Sequence, residues 1–357
     1  MSSIIGEKLK VSIFGQSHGE AIGVVMDGLP AGEQIELELL QSFLARRAPG
    51  NNSISSARKE QDRPRFLSGL VKGRTCGAPL CALIDNTDIR PQDYCAFRDC
   101  PRPSQSDYPA RRRYRGWQDA QGGGHLSGRL TASLCIAGGV AAQILSRRGI
   151  YIGAHAEQIG SVSERRFSTV ALTQADLKLP ATRRLPLLDQ SKLEAVEQEI
   201  LAAAADGDSI GGVVECAAIG LPPGIGDPIF GGMENRLAPV LFGIPGVRGI
   251  EFGSGFAAAK MKGSEHNDPY RISGGKVITK TNHHGGILAG ITTGMPLIFR
   301  LALKPTPSIT KKQQTIDLAT MTETTIEIDG RHDPCIVLRA VPCVEAATAI
   351  VLLDSII

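Results

Sequence analysis

Groups that trade protons or hold charge at neutral pH cluster in this chain within a few glycine- and proline-rich turns. The turn "FGQSHGE" sets His18 between Ser17 and Gly19. An imidazole there is reachable and titrates in the right range for proton transfer, although an ordinary polar loop carries a histidine equally well. "GRHDPC" places Arg331, His332 and Asp333 side by side before a proline, so that cation, base and acid perturb one another. Arginines recur at distant points: Arg46 and Arg47, Arg58 beside Lys59, Arg102, Arg111 to Arg113, Arg115, Arg129 and Arg331. Guanidinium groups drawn together from so many segments suit bidentate recognition of carboxylate and phosphate. The run 111 to 113 reads as a solvated basic face. Arg129, just inside an apolar helix, needs an anionic partner if it is buried.

Two further turns fit anions. "GGGHLSGR" (122–129) leads a flexible glycine loop into a helix start, where backbone N–H groups, the Ser127 hydroxyl and the helix dipole can face an anion; close packing is the other use of such a loop. The G-x-G-x-x-G spacing of a dinucleotide fingerprint is absent. "ALKPTPSI" (302–309) offers Lys304, Thr306 and Ser308 on a proline-stiffened backbone, as a second phosphate cradle or as a rigid edge loop. In "NHHGG" the adjacent His283 and His284 point apart on an extended chain and no HxxxH pattern supports them, so no metal site is expected.

Short β-branched segments between the turns, "KVSIFG", "AIGVVMDG", "IGGVVECAAIG" and "MPLIFRLAL", predict strands. Apolar spacing predicts helices over 35–47, 128–149 and 191–207, and a fourth closing the chain from 343. The helix at 128–149 is apolar or small nearly all round and should be buried, with the glycine loop before it. Strands and helices interleave without βαβ spacing, which favours an α+β layered arrangement. The 357 residues show no linker or repeat that would divide them, so a single domain over 1–357, oligomeric through its long buried helices, is expected.

Composition narrows the function classes. A formal charge of +3 and an aromatic content of 4% argue against a nucleic-acid partner. The eight cysteines form no CxxC pair and follow no signal-peptide pattern, so they read as free thiols of a cytoplasmic protein, with no membrane segment expected.

In their joint order these segments resemble the chorismate synthases along nearly the whole chain: "GQSHGEAIGVVMDGLPAG", "RRAPG", "SGLVKGRTCGAPL", "NTDIRPQDY", "GGGHLSGRLTA", "GDSIGG", "GVRGIEFGSGF", "TNHHGGILAGITTGMP", "KPTPSI" and "GRHDPCIVLRAVPCVEA". The resemblance implies a β-α-β sandwich with a helical core between antiparallel sheets. It also implies a homotetrameric carbon–oxygen lyase of the shikimate pathway, which converts 5-enolpyruvylshikimate 3-phosphate to chorismate and phosphate. Reduced FMN (FMNH2) is the implied cofactor, lending electron density to the substrate and recovering it without net redox change. The chain's length and lack of an added nucleotide-binding motif favour an external flavin reductase over use of NADPH by the enzyme itself. Carried over position by position, His18 protonates the reduced flavin and Asp333 acts with it on the C6 proton. Arg47, Arg102, Arg129 and Arg331 line the anionic site. Flavin contacts fall on His125, Leu126, Ser127, Pro245, Gly246, Ala289, Lys304, Pro305, Thr306, Pro307, Ser308 and Arg331.

The chain departs from the family pattern at three places. "RRAPG" has Ala48 where the family often has a third arginine, and "GGGHLSGRLT" replaces "GGGRSSARET". "RPSQSD" has Gln105 where the family's "RPGHAD" supplies a histidine as acid for the departing phosphate. A glutamine donates hydrogen bonds but moves no proton near pH 7. The expectation is that nearby arginines and the Gln105 amide stabilise the leaving phosphate, with His125 an alternative proton source. A flavin or metabolite binder with weak or no catalysis is the other reading that Gln105 motivates.

Overall fold

The computed structural model describes residues 3–48, 54, 61–87, 97–119, 121–328 and 333–357. Strands β1 (Ile4–Ile5), β2 (Lys10–Gly15), β3 (Ala21–Asp27), β4 (Arg65–Ser68) and β5 (Leu80–Asp85) form one antiparallel sheet in the order β1-β2-β3-β5-β4. Register pairs Val11 with Met26 and Ile22 with Ile84, so the apolar residues of neighbouring strands share one face. The second antiparallel sheet contains β6 (Tyr151–Ile159), β7 (Val162–Ser163), β8 (Gly212–Ile219), β9 (Val247–Phe252) and β10 (Leu297–Leu303), in the order β9-β10-β8-β6-β7.

The helices are α1 (Leu37–Arg47), α2 (Asp107–Arg113), α3 (Thr131–Arg147), α4 (Leu193–Ala205), α5 (Met233–Phe242) and α6 (Val337–Ile356). The two long helices, α3 and α6, fill the space between the sheets, and the others pack around them or lie at the surface. α3 packs on β2, β3 and β5, α6 packs on β6 and β8, and the two helices pack on each other. Both sheets and both helices contribute to one continuous apolar cluster, which is the helical core between antiparallel sheets that the sequence implies. The stretch Gly128–Arg147 is long and apolar enough to cross a membrane, yet 78% of it is buried inside the protein.

The close approach of α3 and α6 depends on small residues. A Cβ at Gly138 would stand 2.2 Å from the Ala346 Cα, so any larger residue there would force the helices apart. Each fully buried Leu, Ile or Val on this seam stabilises by roughly 1.5–3 kcal/mol. The acidic residues of α6 are matched. Glu345 accepts two bonds from Arg46, at 2.6 and 2.7 Å, and one from the Ala154 N–H. Asp354 accepts the N–H groups of Glu7, Lys8 and Leu9 at 2.7 to 3.1 Å, tying the N-terminal turn to the last helix.

Several helix ends shift by two or more residues from the sequence expectation, most at two helix starts. The segment at 128–130 is a short 3-10 turn, because the Ser127 hydroxyl accepts the Arg129 N–H at 3.3 Å and delays the α-helix to Thr131. α6 begins at Val337 rather than at 343 and runs through Pro342, since its first turn is anchored by Arg339.

In the second sheet His155, fully buried on β6, sits between two carboxylates: Nδ1 lies 2.6 Å from Glu164 and Nε2 2.9 Å from Glu215. Glu164 also accepts the N–H groups of Leu188 and Asp189, and Glu215 that of Phe167. Burial alone would lower the pKa of His155; its bonds to the two carboxylates raise it instead.

Candidate active site

The termini of α1, α3 and α6 open onto one cavity of about 280 Å³. Arg47, the last residue of α1, is 3% exposed and makes a 2.6 Å ion pair with Asp62. Its Nε donates to the Thr131 hydroxyl at 3.1 Å. Arg129 enters from the 3-10 turn and pairs with the other oxygen of the same Asp62. Asp62 is itself buried and holds a left-handed backbone with φ 45°, which turns its carboxylate inward between the two guanidiniums. Burial would push its carboxyl up; the charges of Arg47 and Arg129 overcome this and hold it below the usual carboxylate range.

Arg102 is buried by a different partner. Its guanidinium grips Asp107 with two bonds of 2.8 Å, packs 4.7 Å from the Phe97 ring centroid, and reaches the Ser308 hydroxyl at 3.3 Å. Three residues on, Gln105 lines the same cavity, its amide oxygen accepting the Ser106 N–H at 3.1 Å. Across from it, Lys304 donates to the Ser104 carbonyl at 2.6 Å, and burial together with Arg248 lowers its pKa. Pro305 and Pro307 stiffen the wall that follows, and Ser209 fixes it by donating to the Thr306 carbonyl at 2.6 Å. Asp333 closes the cavity from the α6 side, held by Arg339, whose Nε donates to the Arg47 carbonyl at 2.9 Å. Burial, and then repulsion from Arg47, lower the Arg339 pKa in spite of Asp333.

His18 is buried behind the glycine loop. A Cβ at Gly122, which has φ 59°, would lie 2.4 Å from His18 Nε2, so a single backbone thickness separates the imidazole from the cavity that Gly122 lines. Asn86 links this turn to the anion site: its amide donates to the carbonyls of Gln16 and Gly19 at 3.0 and 2.7 Å, while its oxygen accepts Arg129 Nε at 3.1 Å.

Of the residues singled out from sequence, Arg47, Arg102, Gln105, Leu126, Ser127 and Arg129 line this cavity, together with Pro245, Gly246, the run Lys304 to Ser308, and Asp333. His125 does not. Its ring turns away, with Nδ1 donating to the Gly15 carbonyl at 2.9 Å and Nε2 lying 2.7 Å from the Ser3 hydroxyl, which removes it as a proton source facing the cavity. Ala289 sits in the turn between Ile287–Leu288 and Ile291–Thr292, away from the cavity lining. Arg331, His332, Arg58 and Lys59 lie outside the described residues. Arg46 faces Glu345, Arg111 makes a partly exposed pair with Asp99 at 2.9 Å, and Arg112 and Arg113 are exposed. Sequence reasoning missed Asp62, Arg339 and Cys343. For Arg339 the signal was available as one charge within "CIVLRAVPC"; Asp62 lay unremarked in a charged run.

A sandwich of two antiparallel sheets over buried helices brings these arginines together at the helix ends, around one cavity. The sequence model of the chorismate synthases matches residues 9–357, and the chain belongs to that family. It is 46% identical to the chorismate synthase of Pyrococcus abyssi and 44% identical to that of Thermococcus kodakarensis, covering 99% of this chain and 97% of the relative in both. A crystal structure of chorismate synthase superposes with a TM-score of 0.77 at 26% identity, over 98% of this chain and 92% of that one.

Proposed function

We propose that this enzyme eliminates phosphate from 5-enolpyruvylshikimate 3-phosphate in the trans-1,4 sense, giving chorismate, with reduced FMN as cofactor. The observation that carries the reading is the convergence of Arg47, Arg102, Arg129, Arg339 and Lys304 on one cavity, in a chain whose relatives are named chorismate synthases. Such a field suits a ligand set with two phosphates and two carboxylates. Three carboxylates, Asp62, Asp107 and Asp333, hold the guanidiniums in place beforehand, so binding costs little reorganisation.

The residues also fit a flavin mononucleotide. Gly122 and Gly123 leave a stretch of wall without side chains for a flat ring, and Ser127 stands at a helix start. Thr306 Oγ1 is buried and has no hydrogen-bond partner among the described residues. When bound, reduced FMN supplies electron density to the substrate as phosphate leaves. With the cofactor in place, His18 would hold or release a proton from behind Gly122, and Asp333, held by Arg339, would take part in removing the C6 proton. Arg102 and Lys304 stabilise the departing phosphate, which Gln105 assists only by hydrogen bonding. A part for Arg331 in binding the same anions belongs to the proposal, although that residue lies outside those described.

The enzyme works in the cytoplasm as a single-domain homotetramer supplied by an external reductase. The exposed apolar hairpin residues Tyr270, Ile272 and Val277 support assembly. The decisive test is an anaerobic assay with 5-enolpyruvylshikimate 3-phosphate and chemically reduced FMN, following chorismate absorbance. Product formation is expected. Absence of product at every enzyme level, with FMN still bound, would replace this reading by that of a binder, which Gln105 in the cavity wall favours.

A further inference from the structure

Cys343, on the first turns of α6, lines the cavity, and its sulfur lies 3.9 Å from that of Cys135 on α3. The two thiols meet where the helices approach most closely: one turn further along each helix, Gly138 faces Ala346 so tightly that a Cβ would stand 2.2 Å from the Ala346 Cα. Helices this close can bridge two cysteines without being pulled together, the condition a disulfide imposes. The pair is unequal. Cys343, itself buried, lines the cavity beside Arg47 and Arg339 and donates to the Arg339 carbonyl at 3.3 Å, and Cys135 donates to it from the sealed side. The hydrogen bond from Cys135 and the Arg47 guanidinium draw the Cys343 thiol below the usual range against the effect of burial, whereas burial drives Cys135 up. Cys216 and Cys335, also buried, lack such cations and are pushed up by burial, Cys335 to about 12.

We propose that Cys343 and Cys135 form a peroxide-reactive pair, Cys343 as the attacking thiolate and Cys135 as the resolving thiol. The Cys343 sulfur attacks the O–O bond of a small hydroperoxide. An S–O bond forms, the O–O bond breaks and the distal oxygen leaves as hydroxide or alkoxide; sulfur loses two electrons and the peroxide gains them. The Cys135 sulfur then attacks the sulfenic sulfur, the S–S bond forms, and the oxygen departs as water with the Cys135 proton. The approach of the sulfurs from 3.9 Å to the bonded distance draws Cys343 off the cavity wall between Arg47 and Arg339. Oxidant chemistry in this cavity is thereby diverted into a bond that dithiols reverse.

The test is titration of the full-length protein with one equivalent of hydrogen peroxide, followed by denaturation, alkylation and peptide mapping. The expected result is loss of two of the eight thiols, with one linked peptide joining Cys135 to Cys343 that dithiothreitol releases. Cys135→Ala should instead accumulate a sulfenic acid at Cys343 that dimedone traps. Alkylatable Cys135 and Cys343 after peroxide has consumed other thiols, or dimedone labelling elsewhere in Cys135→Ala, would overturn the proposal.

Discussion

Two buried charge clusters in this chain have opposite composition. Around Asp62 one carboxylate lies between two guanidiniums; around His155 one imidazole lies between two carboxylates. In each, the central group satisfies both neighbours. They differ in what lies beyond. The flanking residues of the Asp62 cluster, Arg47 and Arg129, line a cavity, and the cluster carries an excess positive charge that a bound anion can meet. The His155 cluster is walled in by Phe167, whose ring stands edge-on 4.6 Å away, and its carboxylates also accept the N–H groups of Phe167, Leu188 and Asp189. A buried charge that faces open space is free to meet a ligand; one whose neighbours are all protein groups serves the scaffold.

The sealed cluster should be the more expensive to break. His155→Leu leaves two carboxylates buried without a cation and is expected to cost about 3–5 kcal/mol in urea unfolding. It should also release the segment around 165–190 to proteolysis, while added phosphate restores nothing. Asp62→Ala should cost less, about 2–3 kcal/mol, because water and anions reach the two arginines it strands. Millimolar inorganic phosphate should recover part of that loss; equal losses and equal rescue for both variants would erase the distinction.

The two clusters also divide by pH. The pKa of His155 is raised, so its contribution is complete below the unfolded value near about 6.5 and is lost as pH climbs through the folded value. That of Asp62 is lowered, so its contribution is present above about 3.9 and is lost as pH falls through the folded value. The hydrogen-exchange protection factor of the Leu188 N–H should therefore fall first in alkali, and protection around Arg129 first in acid. The smallest expected effect is at the cavity wall. Gln105→His should raise turnover by up to about tenfold and add an acidic limb to the pH profile, well short of a fully placed general acid. An unchanged rate and profile would show that departure of phosphate does not feel this position.

What was legible in the sequence follows from the range of the interactions. The strands, the buried helix at α3 and the seam of small residues are set by local period and size, and each can be read within a window of twenty residues. Arg129 was legible because a cation at the mouth of an apolar helix needs an explanation. Asp62 was not: its burial depends on a left-handed turn and on two arginines arriving from elsewhere in the chain. Glu164, Glu215 and His155 look like ordinary strand and loop polarity until three segments stack in space. The orientation of His125 was equally out of reach, since Gly15 and Ser3, which turn it outward, lie more than a hundred residues away.

Asn86 has a mechanical meaning beyond its bonds. Because one amide holds both the turn that carries His18 and the guanidinium of Arg129, a displacement of the strand end that bears it carries both with it. Their shared attachment ties the spacing between them to one side chain, as two instruments bolted to one plate share its position.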